Sequence, residues 1–257
     1  WTENRNMQAY LELLAQEKLR LKNLIHASYD IADAEQAYEA LKAEGEKPLI
    51  VLLSYPKNAR QPDRCVALES SRAAENGPIV YAVVGGSSFV QGIHLPNMQK
   101  LSKFFQLKSV MSRTGTNAQA IAKQYEARYC TTDYEEILQD QDINLVLVSP
   151  RHDLHGSLVL QALTARKHVF VEKPLTIHKQ ELDQIEAFYR ENPDGPLLMV
   201  GYNRRFSPAM QKIKQLLADR TTPLIANYRM NAGYIDPDHW VHGAEGGGRN
   251  LGEACHI

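Results

Sequence analysis

The chain has few cysteines, no long apolar run and almost no net charge. Its three cysteines, Cys65, Cys130 and Cys255, are far apart in the sequence and form no metal-ligand cluster. That spacing favours a reduced cytoplasmic protein without disulfides. No apolar run approaches the roughly 20 residues that a membrane-spanning helix needs, and no signal peptide is visible. The 29 basic residues nearly balance the 30 acidic ones, so neither a nucleic acid nor a membrane is indicated as a partner.

From residue 79 onward, short apolar strands alternate with helix patterns. The predicted strands cover 79–84, 107–111, 145–148, 168–172 and 197–201, and the helices between them cover 89–101, 116–125, 154–165 and 179–190. Strands joined by crossover helices form a parallel, doubly wound sheet, so we predict an α/β Rossmann domain over residues 79–201. A helix at 208–217 and the alternating run 224–230 predict the start of an α+β domain with an antiparallel sheet over residues 202–257.

The first strand of this series ends in a glycine turn. Gly85 matches the first glycine of the dinucleotide fingerprint Gly-x-Gly-x-x-Gly, whereas Ser87 replaces the second glycine and Val90 the third. The fingerprint directs N–H groups at the start of a helix toward a pyrophosphate, and Ser87, Ser88 and Phe89 open the helix here. Ser87 is small enough to leave the pyrophosphate path open, and its hydroxyl is a candidate phosphate ligand. A plain strand-to-helix turn is the alternative.

The second strand lacks the acid that usually binds the ribose 2′-hydroxyl of NAD. Ser112 and Arg113 follow it instead. A guanidinium pairs bidentately with phosphate, so these residues favour NADP over NAD. The alternative is that Arg113 is an ordinary solvated side chain.

Three motifs in fixed order point to one family. They are Pro-Arg-His-Asp-Leu-His at 150–155, Glu-Lys-Pro at 172–174 and Tyr-Asn-Arg-Arg-Phe at 202–206. Together they resemble the Gfo/Idh/MocA family, the relatives of glucose–fructose oxidoreductase and inositol dehydrogenase, from about residue 79 to the last residue. The resemblance implies a Rossmann domain followed by a mostly antiparallel substrate domain. It also implies hydride transfer between a nicotinamide and a carbinol carbon of a sugar, polyol or sugar derivative.

The resemblance also assigns roles to single residues. Lys173 matches the family's lysine that hydrogen-bonds the reacting hydroxyl, with Glu172 before it and, after it, a proline of the family's turn that is a candidate for a cis bond. Pro150 and His155 match the loop that lines the nicotinamide, although a structural role for His155 is equally compatible. Asn203 matches the segment that joins the cofactor and substrate domains.

The last motif is a glycine run that leads to an acid and a histidine. Residues 246–256 read Gly-Gly-Gly-Arg-Asn-Leu-Gly-Glu-Ala-Cys-His. His256 matches the family's catalytic histidine, a side chain suited to proton exchange near neutral pH. The commonest family pattern places an aspartate four residues before it, where this chain has Gly252. Glu253 is the remaining candidate partner for His256.

The front of the chain differs from the rest. Residues 1–54 resemble the C-terminal end of a medium-chain, zinc-type alcohol dehydrogenase, without the zinc ligands or the cofactor fingerprint of that family. We interpret residues 55–78 as a linker and the chain as a fragment of a two-domain oxidoreductase. We expect no metal in this fragment and a homo-oligomer in the full-length protein. A catalytically impaired cofactor-binding regulatory or scaffolding protein on the same fold is the alternative, favoured by Ser87, Val90 and Gly252.

Overall fold

The computed structural model describes residues 2–19, 21, 24–42, 48–55, 64–68, 77–231 and 233–256. The chain divides into two compact units, Trp1–Pro62 and Asp63–Ile257. The elements of the first unit are helix α1 (Glu3–Ala15), strand β1 (Ile25–Asp30), helix α2 (Ala34–Lys42) and strand β2 (Ile50–Ser54). β1 and β2 pair in parallel, with Ile25 opposite Ile50 and Asp30 opposite Ser54.

The second unit is built on a seven-stranded sheet. Its strands are β3 (Cys65–Ala67), β4 (Ile79–Val84), β5 (Phe105–Met111), β6 (Tyr129–Thr131), β7 (Leu145–Val148), β8 (His168–Val171) and β9 (Leu198–Val200). The strand order is β3-β6-β5-β4-β7-β8-β9. All neighbours are parallel except β3 and β6. The predicted doubly wound α/β sheet is confirmed, and the short strand β3, which falls within the predicted linker, forms its antiparallel edge.

Helices and helical turns fill the connections between these strands. A π-helical turn (Val90–His94) continues into α3 (Leu95–Lys100), followed by α4 (Gly115–Gln124), α5 (Tyr134–Gln139), α6 (His155–Thr164), α7 (Lys179–Glu191), α8 (Pro208–Leu216) and α9 (Arg249–Glu253). Short 3-10 turns cover Ile31–Asp33, His152–Leu154, Asn203–Phe206, Trp240–His242 and Ala254–His256.

Alternate residues of β4 pack on opposite faces of the sheet. Ala82 and Val84 belong to the core beneath α6 and α7, whereas Tyr81 and Val83 belong to the core beneath α3 and α4. All four side chains are buried, with at most 3% exposed. Burying one such aliphatic side chain stabilises the fold by about 1.5–3 kcal/mol. The central strand is therefore apolar on both faces, which explains why its sequence shows a continuous apolar run.

The predicted strand at 224–230 is wrong. These residues pair with no strand of the described part of the chain, and none of the described residues from 202 onward forms a strand. An alternating pattern places side chains on two faces, but a strand also needs a neighbour for its backbone hydrogen bonds. Most side chains of this run are exposed.

Candidate active site

The carboxyl ends of four strands meet at one edge of the sheet. The backbone hydrogen bonds of the sheet continue one residue past each of these strands. They run from Gly85 N to Met111 O, Ser149 N to Val84 O, Glu172 N to Val148 O and Gly201 N to Val171 O, at 2.8–2.9 Å. The chain order reverses direction between β4 and β7, because β5 and β6 lie on one side of β4 and β7 to β9 on the other. Open α/β sheets bind ligands at such a switch point.

The glycine turn after β4 packs tightly against the loop after β7. Gly85 has φ +96°, and a Cβ atom there would lie 2.5 Å from Pro150 N and 2.6 Å from Ser149 C. A Cβ on Gly86 would lie 2.5 Å from Ile121 Cδ1 and 2.6 Å from Asn117 Nδ2. Only glycine fits either position without a shift of its neighbours, and the turn lies where the fingerprint predicts it.

Ser87 begins the helix that follows the turn. Its Oγ accepts a hydrogen bond from Val90 N at 3.3 Å and lies 3.0 Å from Ser149 Oγ. Ser87 thus acts as an N-cap, and its hydroxyl is already engaged within the protein. Ser88 and Phe89 are exposed at the helix start. Ser88 and Phe89 therefore offer backbone N–H groups to a phosphate at the start of the helix.

Ser112 and Arg113 follow β5 at the same edge. The Ser112 hydroxyl is buried and accepts a hydrogen bond from Asn117 Nδ2 at 3.1 Å; the same nitrogen lies 3.3 Å from Gly86 O. Arg113 is exposed, and within the described part of the chain it has no ion pair. Its guanidinium is therefore free to reach a ligand group beside β5.

His155 is a buried side chain whose ring contacts two loops. It is 1% exposed, and its Nδ1 donates to Pro174 O at 2.6 Å while its Nε2 lies 3.4 Å from Pro150 O. Burial lowers the pKa of the imidazole, whereas the hydrogen bonds to these two carbonyls act to raise it. The Lys173–Pro174 peptide bond is cis, as the motif predicts. The contacts of His155 favour the structural reading, with its ring holding the Pro150 loop to the Lys173–Pro174 turn.

Glu172 is held by a histidine that no sequence motif indicates. His94 Nε2 lies 2.6 Å from Glu172 Oε1, and Lys173 N donates to Glu172 Oε2 at 3.2 Å. The His94 ring contacts Phe89 and Phe170 edge-on, with centroids 5.2 and 5.3 Å apart. A π-helical turn of five residues precedes α3, and no sequence pattern marks it. Glu172 is therefore buried, and its carboxylate accepts the hydrogen bond of the Lys173 backbone N–H.

Lys173 lies against the C-terminal end of α9 (Arg249–Glu253). Its Nζ donates to Gly252 O at 2.7 Å and to Glu253 Oε1 at 3.0 Å. Arg204 Nη2 lies 3.7 Å from the other carboxylate oxygen of Glu253. Burial acts to raise the pKa of Glu253, but the hydrogen bond and charge of Lys173, together with Arg204, hold it below its usual value. Glu253 is thus a carboxylate at neutral pH.

His256 lies one helical turn beyond Gly252. It is 7% exposed, and its Nδ1 is buried without a hydrogen-bond partner among the described residues. Burial lowers the pKa of the imidazole, and the charges of Lys173 and Arg204 lower it further. Glu253, the predicted partner, accepts a hydrogen bond from Lys173 and forms an ion pair with Arg204, and its charge raises the pKa of His256.

Gly252 stands where the commonest family pattern has an aspartate. A Cβ atom there would lie 3.4 Å from His152 Cε1, so this position faces His152. His152 Nδ1 donates to Gly246 O at 2.9 Å, which connects the loop after β7 to the glycine run.

Asn203, at the start of a 3-10 turn, is exposed and its N–H donates to Gly201 O. Asn203 therefore lies at the end of β9, where its exposed amide is open to a ligand.

The residues at this edge fit a dinucleotide. Gly85 supplies the left-handed turn, Ser87 caps the helix start, and Ser112 and Arg113 follow the neighbouring strand, which is the arrangement of a nicotinamide cofactor site.

Among the described residues there is no group of three or more His, Cys, Asp or Glu side chains arranged to hold a metal ion. No helix in that part of the chain is long and apolar enough to cross a membrane.

The doubly wound sheet and the glycine turn after β4 are those of a Rossmann fold. Residues 79–202 match the family model GFO_IDH_MocA, the oxidoreductase family with an NAD-binding Rossmann fold. The family model and the relatives below support the Gfo/Idh/MocA oxidoreductase family for this part of the chain. The similarity of residues 1–54 to zinc-type dehydrogenases stays a prediction.

Three curated relatives show the range of similarity. The chain is 28% identical over 139 residues to an uncharacterized oxidoreductase, YrbE, of Bacillus subtilis, covering 54% of this chain and 40% of the relative. It is 30% identical over 116 residues to trans-1,2-dihydrobenzene-1,2-diol dehydrogenase of Bos taurus (45% and 34% covered). It is 33% identical over 90 residues to myo-inositol 2-dehydrogenase of Thermotoga maritima (35% and 26% covered). The matches thus span at most about two fifths of these relatives' length.

Two solved structures carry a nicotinamide cofactor. The first is KijD10, a 3-ketoreductase from Actinomadura kijaniata in complex with NADP and TDP-benzene, at 25% identity and TM-score 0.50, covering 55% of this chain and 42% of that one. The second is GenD2 from gentamicin A biosynthesis in complex with NAD, at 28% identity and TM-score 0.50, covering 60% and 42%. These neighbours bind NADP or NAD.

Proposed function

We propose that the protein transfers a hydride between NADP or NAD and a carbinol carbon of a sugar, polyol or sugar derivative. The observation that carries this proposal is the cluster of Lys173, Glu253 and His256 at the carboxyl edge of the sheet. The diol and inositol dehydrogenases among the relatives support the reaction class. The bound nicotinamide supplies the site that accepts or donates the hydride.

In this mechanism Lys173 stabilises the substrate oxygen. Its side chain is 19% exposed, and its ammonium donates hydrogen bonds to Gly252 O and Glu253 Oε1 of α9. A fixed cation in a partly desolvated site stabilises the negative charge that develops on an oxygen as its proton leaves. Glu253 holds the ammonium in place, since its carboxylate accepts a hydrogen bond from Lys173 Nζ.

His256 exchanges the hydroxyl proton. Its lowered pKa keeps the imidazole neutral at pH 7, so it is competent to accept a proton when an alcohol is oxidised. For the reverse reaction the same ring must first be protonated, which is favoured at lower pH. His256 is thus the base in oxidation and, once protonated, the acid in reduction.

Arg113 favours NADP as the cofactor in this proposal. It is exposed at the end of β5, where it would meet a 2′-phosphate, and no acid follows that strand. The buried Ser112 hydroxyl is engaged by Asn117, so the discrimination falls to the guanidinium.

The substitution Lys173→Met tests the proposed mechanism in the full-length protein. We expect kcat, followed by reduced-nicotinamide absorbance against a panel of sugars and polyols, to fall about 10²- to 10³-fold. Cofactor affinity, measured by fluorescence titration, should stay within about threefold because the lysine side chain points to α9. Lys179→Met is the matched control, because Lys179 is exposed on α7 and its ion pair among the described residues is with Asp183. Retained turnover in Lys173→Met would remove Lys173 from the mechanism.

A further inference from the structure

His94 and Glu172 form a mostly buried polar pair at the carboxyl edge of the sheet. His94 Nε2 lies 2.6 Å from Glu172 Oε1, and the two side chains are 18% and 11% exposed. A Cβ atom on Gly201 would lie 3.0 Å from the same carboxylate oxygen, so the carboxylate packs closely against the backbone that follows β9. Burying a carboxylate costs free energy, and an apolar pair of similar volume is often at least as stable. Stability alone therefore does not explain why two polar side chains lie here.

The pair joins the helix after the glycine turn to the turn that carries Lys173. His94 is the last residue of the π-helical turn Val90–His94, and Ser87 caps the start of the same helix. The second carboxylate oxygen, Glu172 Oε2, accepts a hydrogen bond from the backbone N–H of Lys173 at 3.2 Å. The Glu172 carboxylate thus connects the helix that offers N–H groups to a phosphate with the lysine of the proposed mechanism.

The π-helical turn brings His94 to this position. Phe89 and His94 are one π-helical turn apart, and their rings meet edge-on with centroids 5.2 Å apart. In a regular α-helix, residues at this spacing would differ by about 140° around the axis and would not share a face. Phe170 contacts the His94 ring edge-on as well, at 5.3 Å. These contacts orient the imidazole toward Glu172, and π-helical turns are frequent at functional sites.

The other side of the Lys173 turn is held by a second histidine. His155 Nδ1 donates to Pro174 O at 2.6 Å, so both neighbours of Lys173 in the chain are bonded to a histidine ring. Lys173 Nζ donates to Gly252 O at 2.7 Å and to Glu253 Oε1 at 3.0 Å. A shift of the backbone at this turn would move the ammonium, and misplacing a reacting group by about 1 Å can reduce a rate about 100-fold.

We propose that His94 is a positioning residue that acts through Glu172, and that it fixes the Lys173 turn to the helix that begins at the glycine turn. This inference rests on the proposed hydride transfer, because it assigns a role in the same reaction. His94 contacts the carboxylate of Glu172, so its effect on the rate passes through that side chain. The pair holds the lysine and the start of the cofactor helix in one geometry, as transfer between a bound cofactor and a bound substrate requires.

The alternative is that His94 only satisfies a buried carboxylate. In that case its loss destabilises the protein, and removing the carboxylate as well should restore both stability and turnover. If the pair positions Lys173, removing both side chains should restore stability but not turnover, because the Lys173 N–H still lacks its acceptor. The double variant His94→Leu/Glu172→Met distinguishes the two explanations.

The kinetic experiment uses the full-length protein with the double variant, His94→Leu and His94→Gln. We expect His94→Leu to lower kcat at least about tenfold while the KM for the cofactor stays within about threefold. His94→Gln keeps an N–H donor and should lose less than about threefold in kcat. The double variant should match the unmodified protein in denaturant titration and keep the low kcat of His94→Leu. His178→Leu is the control, because His178 is exposed and its side chain does not cap α7.

Acetylation of Lys173 gives a second measurement that needs no substrate. The protein is treated briefly with acetic anhydride, and mass spectrometry compares the labelling of Lys173 with that of Lys179, which is 83% exposed on α7. In His94→Leu and in the double variant, the ratio of Lys173 to Lys179 labelling should rise at least about fivefold, because a turn released on one side opens more often. In His94→Gln and His178→Leu the ratio should stay within about twofold.

Two results would overturn the inference. A double variant that regains the kcat of the unmodified protein would assign His94 and Glu172 to a structural pair. Unchanged labelling of Lys173 in His94→Leu would show that the turn is not held through His94, and turnover by the unmodified protein would leave the hydride-transfer proposal intact. By contrast, increased labelling in His94→Leu without turnover of any sugar or polyol by the unmodified protein would count against hydride transfer and support the positioning of Lys173 by His94.

Discussion

The two sides of the candidate site are built differently. On the cofactor side, polar side chains bond to one another: Ser87 with Ser149 and the helix start, Asn117 with Ser112 and Gly86. On the substrate side, Lys173 is satisfied, but His256 Nδ1 and Arg249 Nε are buried without partners in the described part of the chain. Buried polar atoms are almost always paired in folded proteins, so the polar groups of the cofactor side are satisfied within the protein, whereas two buried atoms of the substrate side are not satisfied by the described residues.

This difference predicts what mutations will do. On the cofactor side the backbone geometry is tight, and substitutions should act through steric conflict and strain. On the substrate side the charges are coupled, and substitutions should act through specificity and pH dependence.

The largest effect is expected at Gly85. In Gly85→Ala, a Cβ would meet the backbone of Pro150 at 2.5 Å, and a φ of +96° is unfavourable for alanine. We expect the free energy of unfolding to fall by at least about 2 kcal/mol in denaturant titration and cofactor affinity to fall about 100-fold in fluorescence titration. Gly92→Ala is the control, because a Cβ there meets nothing within 4 Å. Equal stability and affinity in both variants would show that the turn is not tightly packed.

Much of the sheet was predictable, because buried parallel strands are continuous apolar runs. The pattern placed β4 and β7 at their observed bounds and β5, β8 and β9 within one or two residues. It missed Tyr129–Thr131 and α5, since a three-residue strand and a six-residue helix carry too few residues for a period to show. The run at 224–230 has the alternation of a strand but no neighbour, and a neighbour is not visible in local sequence.

The site was predictable only as a set of residue types. The motifs predicted Lys173, Glu253 and His256 as site residues. They did not predict that Lys173 Nζ donates a hydrogen bond to Gly252 O, which lies 79 positions away in the sequence. His94 belongs to no motif, and its contact with Glu172 depends on the π-helical turn. The unpaired atoms of His256 and Arg249 depend on which side chains lie nearby in space, and sequence spacing does not contain that information.

An intermediate effect is expected at Arg113. In Arg113→Gln, the loss of a guanidinium at the end of β5 should weaken NADP binding about tenfold and change NAD binding by less than about twofold, measured by fluorescence titration of each cofactor. Arg190→Gln on α7 is the control for loss of one positive charge. Equal weakening of both cofactors would mean that Arg113 contacts a group they share, and equal or tighter NAD binding by the unmodified protein would refute the NADP preference.

The smallest effect is expected in the pH profile of Glu253→Gln. The pKa of His256 lies below its usual value of 6.5, lowered by burial and by the charges of Lys173 and Arg204, whereas the Glu253 carboxylate raises it. Alcohol oxidation needs the neutral ring, so kcat/KM should decline on the acid side only below pH 6.5.

Removing the negative charge of Glu253 removes an effect that raises the pKa of His256, so the acid limb of the profile should move to lower pH. The measurement is kcat/KM for alcohol oxidation across about pH 4.5–8.5, roughly two units to either side of an ordinary histidine pKa. Glu245→Gln is the control, because Glu245 is half-exposed and lies beside Arg151 rather than His256. The overall rate of Glu253→Gln should also fall, since Lys173 loses a partner, but the position of the limb is independent of that loss. A limb that moves to higher pH would show that His256 is not the group that accepts the proton, and the substrate side would then depend on another base.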